Sequence, residues 1–265
     1  MRTVPAALDP GVVAGIDERL SGVEAAHGVR VLWAIESGSR AWGFPSPDSD
    51  YDARFLYLRP AADYLSLWPV RDVIETPLDA VFDVNGWDLA KAVRLIVKGN
   101  AAALEWLRSP IVYSGDAAFR DRALALAERV TRREDLGRHY LHVARQQRLG
   151  RANLKRFFYV LRPAAALHWL AEHPDRVLPP MDLPTLLAEA NPGAAVRTAA
   201  EGLIALKSRT REMGAGEVPA VLAEFVELEL ARAVVFEAAG EDPAERAAAR
   251  RDADAFFRAE LALSN

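Results

Sequence analysis

Apolar residues recur along the first 115 positions in two alternating rhythms. Val12, Val13, Ile16, Leu20 and Val23 repeat at helical spacing, with Asp9 placed to cap, Pro10 at the first turn and Gly28 beyond the end. The run that follows is short, β-branched and aromatic, and predicts a buried strand over Val29 to Glu36. A loop of Gly, Pro, Ser and Asp (Gly43 to Ser49) leads to a second strand, Tyr51 to Leu58. A third strand is expected over Ala80 to Val84, broken by Gly86. Asp88 and Asn100 then stand where caps belong for two short helices.

Beyond Ser114 the strand rhythm stops. Alanine, arginine and leucine at helical spacing predict helices near Asp116–Arg132, Leu136–Arg151, Leu154–Glu172, Thr185–Ala190, Val196–Met213, Val218–Phe236 and Pro243–Leu263. LPPMDLP (Leu178–Pro184) reads as a linker, because proline removes a donor and restrains its predecessor. The pattern is α+β: a small α/β half with a mixed sheet over residues 1–120, then an all-helical half over 121–265.

Composition narrows the function. The chain has 265 residues, of which 51% are hydrophobic and 26% charged, enough to build a core and inconsistent with disorder. It has no cysteine, which excludes thiol catalysis and zinc–thiolate sites. No apolar run is long enough for a membrane span and no secretory leader is expected, so a cytoplasmic location is the default. A net charge of −4 means that any phosphate-binding surface is local.

The chemistry concentrates in SGSRAWGFPSPDSDYDARFLYL, Ser37 to Leu58. Gly38 and Ser39 end one strand, and after ten intervening residues Asp50 and Asp52 open the next. Residues i and i+2 of a strand share a face, so these carboxylates are expected side by side with Tyr51 opposite. Two such acids repel unless a cation lies between them, and Mg²⁺ (or Mn²⁺) suits one or two carboxylates plus phosphate oxygens. Gly38 permits close backbone approach to a phosphate and Ser39 adds a hydroxyl. Asp-x-Asp is also common in solvated turns; its place at a strand start behind a Gly-Ser pair favours catalysis. Arg40 is placed either to contact a triphosphate or to pair with Asp48. Trp42 and Phe44 read as shields of the loop, or else as a stack for a base.

The longer segment GSRAWGFPSPDSDYDARF resembles the RNA-repair-ligase-associated nucleotidyltransferases, a branch of the DNA polymerase β superfamily. FDVNGWDLAKAVRLIVKGN, LEWLRSPIVY and KRFFYVLRPAAALHWL fit the same family in order, across roughly residues 29 to 190. The resemblance implies that Gly38 and Ser39 bind phosphate, that Asp50 and Asp52 bind metal, and that a third carboxylate lies on a neighbouring strand. Asp83 is the candidate, an acid between Phe82 and Val84 on an apolar strand; Asp79 and Asp88 are its rivals, read otherwise as a turn residue and a helix cap.

A second feature is a basic stripe. Between Gly137 and Pro163 stand seven basic residues and no acid. Arg148, Arg151, Lys155, Tyr159 and Arg162 are spaced to share one face of a continuous helix, unless Gly150 or Asn153 interrupts it. Solvated faces usually mix charge signs. Lys155, Tyr159 and Arg162 are therefore candidate nucleotide contacts in the wall of a cleft between the two halves. The expectation is a Mg²⁺-dependent enzyme that moves a nucleoside monophosphate from an NTP to an acceptor hydroxyl. The resemblance points to RNA ends as acceptor, with an RNA ligase as potential partner. Competing readings are a non-catalytic nucleotide sensor or RNA-ligase accessory subunit, transfer to a small-molecule or protein acceptor, and a glycosyltransferase.

Overall fold

The computed structural model describes residues 1–77, 81–148, 154–211 and 217–263. Strands β1 (Arg30–Glu36), β2 (Tyr51–Leu58), β3 (Val73–Glu75), β4 (Phe82–Asp88) and β5 (Val112–Gly115) form one mixed sheet, ordered β3-β4-β2-β1-β5. β1 is antiparallel to β2 and β5, β3 is antiparallel to β4, and β2 and β4 run parallel. The end of β1 and the starts of β2 and β4 therefore meet at one edge of the sheet.

Alternation along β2 sends its side chains to two different cores. Ala53, Phe55 and Tyr57 pack with Ile16, Leu20 and Val23 of helix α1 (Pro10–His27) on one face. Leu56 and Leu58 join the opposite face, which α4 (Leu89–Val97), α5 (Ala101–Arg108), α6 (Ala117–Val130) and the later helices cover. Asp52 and Arg54 belong to that second face. The later helices are α7 (Arg133–Arg148), α8 (Leu154–Glu172), α9 (Leu183–Ala190), α10 (Ala194–Lys207), α11 (Ala220–Arg232), α12 (Val235–Ala238) and α13 (Pro243–Ala262). One cluster of buried side chains runs from Leu32 to Ala253, so packing continues across the 120/121 division.

Local signals placed most boundaries. Asp9 accepts from the Gly11 and Val12 amides, Asp88 from Ala90 and Asn100 from Ala103, while Gly28 ends α1 at φ 60°. Gly86 does not break β4: it sits mid-strand beneath the Phe55 ring, where a Cβ would collide. β3 and β5 went unpredicted because each has only three or four residues. The same holds for the single turns α2 (Gly38–Ala41) and α3 (Ala61–Tyr64). The helix expected to 213 ends at Lys207, and the one expected over 218–236 divides into α11 and α12.

Candidate active site

The site is built at the sheet edge around Asp52. Glu36, the last residue of β1, is fully buried. Its carboxyl accepts from the Tyr113 hydroxyl (2.6 Å) and from the Asp52 amide (3.1 Å). The Ser37 amide in turn donates to the Asp52 carbonyl (2.8 Å), so both backbone polar groups of Asp52 are held by Glu36 and Ser37, where β1 ends. Burial pushes the Glu36 carboxyl up to about 7, against the pull of its two donors. Gly38 opens α2 at φ 58°, and a Cβ there would collide with Oδ2 of Asp52. Only glycine tolerates both that backbone angle and that approach.

The loop after α2 closes on itself. The Ser39 hydroxyl donates to Ser49 Oγ (2.9 Å), which also accepts from the Ser46 amide (2.9 Å). Arg40 takes partners on its own loop rather than Asp48. Its guanidinium donates to the Ser49 and Asp50 carbonyls (2.6 and 3.2 Å) and lies over the Tyr51 ring (3.8 Å). It stiffens the loop that carries the acids. Phe44 is buried and stacked on Phe158 at 4.7 Å, while Trp42 is half-buried and edge-on to Tyr159.

Parallel pairing sets Asp52 opposite Asp83 on adjacent strands. The Arg54 guanidinium joins them, 3.0 Å from Asp52 Oδ1 and 2.6 Å from Asp83 Oδ2. Asp50 is exposed, just before β2. Burial raises the Asp52 carboxyl above its ordinary range; Arg54 opposes this, and the charges of Asp83 and Asp50 add to it. Asp88 lies at the far end of β4, where it caps α4, accepts from Tyr64 (2.9 Å) and stands 3.7 Å from Arg59. Asp79 lies outside the described residues. Among the described residues, no three acidic or imidazole groups converge closely enough to hold a metal ion. The donor set still suits a hard divalent cation. Asp52 and Asp83 are fixed in register, Asp50 precedes Asp52 by two residues, and the Arg54 guanidinium lies between the first two.

Residues 13–259 match the RNA repair pathway DNA polymerase beta family. The chain belongs to that family. The match extends well beyond residues 29–190, on which the sequence resemblance rested. A protein of Bacillus subtilis (strain 168), uncharacterized protein YcgL, is 38% identical over 236 residues, spanning 87% of this chain and 89% of that one. Among solved structures, a nucleotidyltransferase-like protein from Exiguobacterium sibiricum 255-15 aligns with 85% of this chain and 74% of its own, at 12% identity and a TM-score of 0.31.

The second wall of this polymerase beta family member departs from expectation. α7 and α8 are separate helices that pack on each other, so the five-residue stripe is not one continuous face. Arg151 lies outside the described residues. The basic residues of the stripe have acidic partners: Arg138 pairs with Asp135 one turn before it on α7, while Arg145 meets Glu237 and Arg148 meets Glu227 (2.9 Å) from other helices. Arg162 is only 5% exposed, bonded to Glu105 (2.6 Å) and to the Met181 carbonyl (2.8 Å). Its charge is committed to Glu105 in the core beneath Trp42, against its expectation as a nucleotide contact. Tyr159 packs edge-on to Trp42 and Phe44. Burial raises its hydroxyl pKa first, and then the nearby charges of Asp52 and Asp50. Lys155 is exposed at the start of α8. Asp48, on the loop, is lowered by its hydrogen bond with Ser46 and then by the charges of Lys155 and Arg211.

Three residues near the site escaped the sequence reading as functional groups. Arg54 stood inside the quoted motif, two positions after Asp52, and the strand period alone puts it on the carboxylate face. Glu36 only closed the first predicted strand, and its hold on the Asp52 amide depends on strand pairing. Lys207 gave no local signal. It is 1% exposed, with its Nζ 4.5 Å from the Phe44 ring centroid and 4.9 Å from that of Phe158. Burial pushes its amine down to about 8.

Proposed function

We propose that this protein is a divalent-metal-dependent nucleotidyltransferase that joins a nucleoside monophosphate from an NTP to an acceptor hydroxyl. The observation that carries this reading is the Asp52–Asp83 pair, fixed in register beside Gly38, a position where any side chain would collide with Asp52. The RNA repair family supports an RNA end as acceptor and an RNA ligase as the enzyme that shares the substrate.

Asp50, Asp52 and Asp83 would hold the cation, which when bound neutralises charge on the reacting phosphate. The acceptor oxygen attacks the α-phosphorus, a new P–O bond forms, the α–β bridge breaks, and pyrophosphate leaves. Asp83 would take the acceptor proton. Gly38 allows phosphate oxygens to approach the backbone next to Asp52. Arg40 and the Ser39–Ser46–Ser49 cluster keep the acid-bearing loop rigid, and Tyr159 and Lys155 face the nucleotide from α8.

The test is transfer of label from α-labelled NTPs with Mg²⁺ or Mn²⁺ to a panel of RNA, DNA, protein and small-molecule acceptors. Label on RNA ends, lost in Asp52→Asn, is expected. NTP binding with no transfer to any acceptor would replace this reading with a nucleotide sensor.

A further inference from the structure

Arg54 is held from two directions. Its Nη1 donates to backbone carbonyls, those of Asp83 (2.6 Å) and Ala53 (3.0 Å). Its Nη2 donates to the two carboxylates, Asp52 Oδ1 (3.0 Å) and Asp83 Oδ2 (2.6 Å). The other Asp83 oxygen, Oδ1, accepts from Asn85 (3.1 Å). The side chain is 15% exposed. The carbonyl bonds belong to the sheet backbone and do not depend on the acids, so the guanidinium stays in place when the acids rearrange. A planar fork with fixed donors orients both carboxylates at once, which a lysine cannot do.

We infer that Arg54 is a built-in counter-charge, which aligns Asp52 and Asp83 in the metal-free protein and sets how weakly a divalent cation binds there. The inference rests on the acids being the cation site proposed above. Without the guanidinium, two carboxylates facing each other across parallel strands repel. With it, three acids and one cation leave two net negative charges, which match a single divalent ion. Arg54 also occupies one oxygen of each acid, leaving Asp52 Oδ2 beside Gly38 as the oxygen turned toward the phosphate side. Arg54 is thus a positioning residue: it acts through Asp52 and Asp83.

The predicted signature has opposite signs. A residue that merely supports a metal site weakens metal binding when removed. Removing Arg54 should instead tighten it, while destabilising the metal-free fold. The experiment is Mn²⁺ calorimetry and metal-free thermal unfolding on the full chain, for the parent, Arg54→Gln and Arg54→Lys. Arg54→Gln is expected to bind Mn²⁺ about ten-fold more tightly or better, with a lowered metal-free melting temperature. Arg54→Lys keeps the charge and should bind Mn²⁺ near the parent's affinity, which keeps the test open if Arg54→Gln does not fold. An Arg54→Gln affinity equal to or weaker than the parent's overturns the inference, as does an Arg54→Lys affinity well above the parent's. If no variant binds Mn²⁺, both this inference and the metal-dependent reading fall. Tighter binding in Arg54→Gln with no NTP transfer by the parent would remove the proposed reaction and leave the counter-charge standing.

Discussion

The acid cluster on β2 and β4 and the basic stripe on α7 and α8 look equally suggestive as strings, and the fold treats them oppositely. The acids stay together. Strand pairing puts Asp83 opposite Asp52, and their counter-ion, Arg54, comes from the same strand. The stripe is dispersed. Arg145 and Arg148 meet Glu237 and Glu227, 92 and 79 residues further along the chain, and Arg162 turns inward to Glu105. A charge pattern thus survives folding when strand register fixes its partners beside it. A run of one sign along a helix is weaker evidence, because the opposite sign can arrive from any other helix.

The largest effect should separate the two regions outright. Asp52→Asn and Asp83→Asn are expected to lower NTP transfer on the order of a thousand-fold or more, because each removes a carboxylate needed for charge neutralisation or proton removal. Arg145→Ala and Arg148→Ala should leave turnover within a factor of about two. Steady-state kinetics on the four variants checks the contrast, and a stripe variant as inactive as Asp52→Asn would erase it.

Arg162 sharpens the comparison from the side of stability. Its pairing with Glu105, which also accepts from Tyr140 (2.9 Å), is buried. Arg162→Met should cost about 3–5 kcal/mol in urea unfolding, since it leaves Glu105 buried and uncompensated. Arg162→Met combined with Glu105→Leu should recover much of that loss. The folded Arg162→Met protein should keep the parent's NTP affinity; a lost affinity would return Arg162 to the site.

The fold was readable in the sequence wherever the signal was short-range. The Asp9, Asp88 and Asn100 caps, the Gly28 stop and the full extent of β2 follow from neighbours within a few residues. The Gly38, Asp50 and Asp52 motif was visible for the same reason. β3 and β5 were hidden because three or four residues have too little periodicity, and sheet order supplies their stability. Gly86 misled because its smallness serves the Phe55 ring rather than a turn. Lys207 and the burial of Arg162 could not be read at all, since both depend on which helix faces which.

Glu36 provides a test within the acid region that involves no catalysis. Its carboxyl has an ordinary value of 4.5 and is pushed up to about 7 by burial. A raised value means that the fold favours the protonated form. The stabilising contribution is therefore complete below about 4.5 and is lost as pH rises through 7. The total is on the order of 3 kcal/mol. The stability of Glu36→Gln relative to the parent should rise between pH 5 and pH 8, measured by urea unfolding at both values. A parallel pair of pH profiles would show that the buried carboxyl titrates normally.

The smallest effects lie on the stripe itself, and they decide what remains of it. The Arg148–Glu227 pair is more than half exposed on both sides, so Arg148→Ala should change stability by no more than about 1 kcal/mol. Because Glu227 already neutralises Arg148, that variant should also bind single-stranded RNA with the parent's salt dependence. Lys155 differs: it is exposed at the start of α8, and its charge acts on Asp48 of the loop that leads to the acids. If RNA phosphates reach this wall, Lys155→Ala should flatten the log–log salt slope by about 0.7. Salt titrations of RNA binding for the parent, Arg148→Ala and Lys155→Ala make the comparison. Identical slopes in all three would leave the acids as the chain's recognisable nucleotide machinery and the whole stripe as surface. A slope change confined to Lys155→Ala would mark where the stripe stops being solvated face and becomes part of the site.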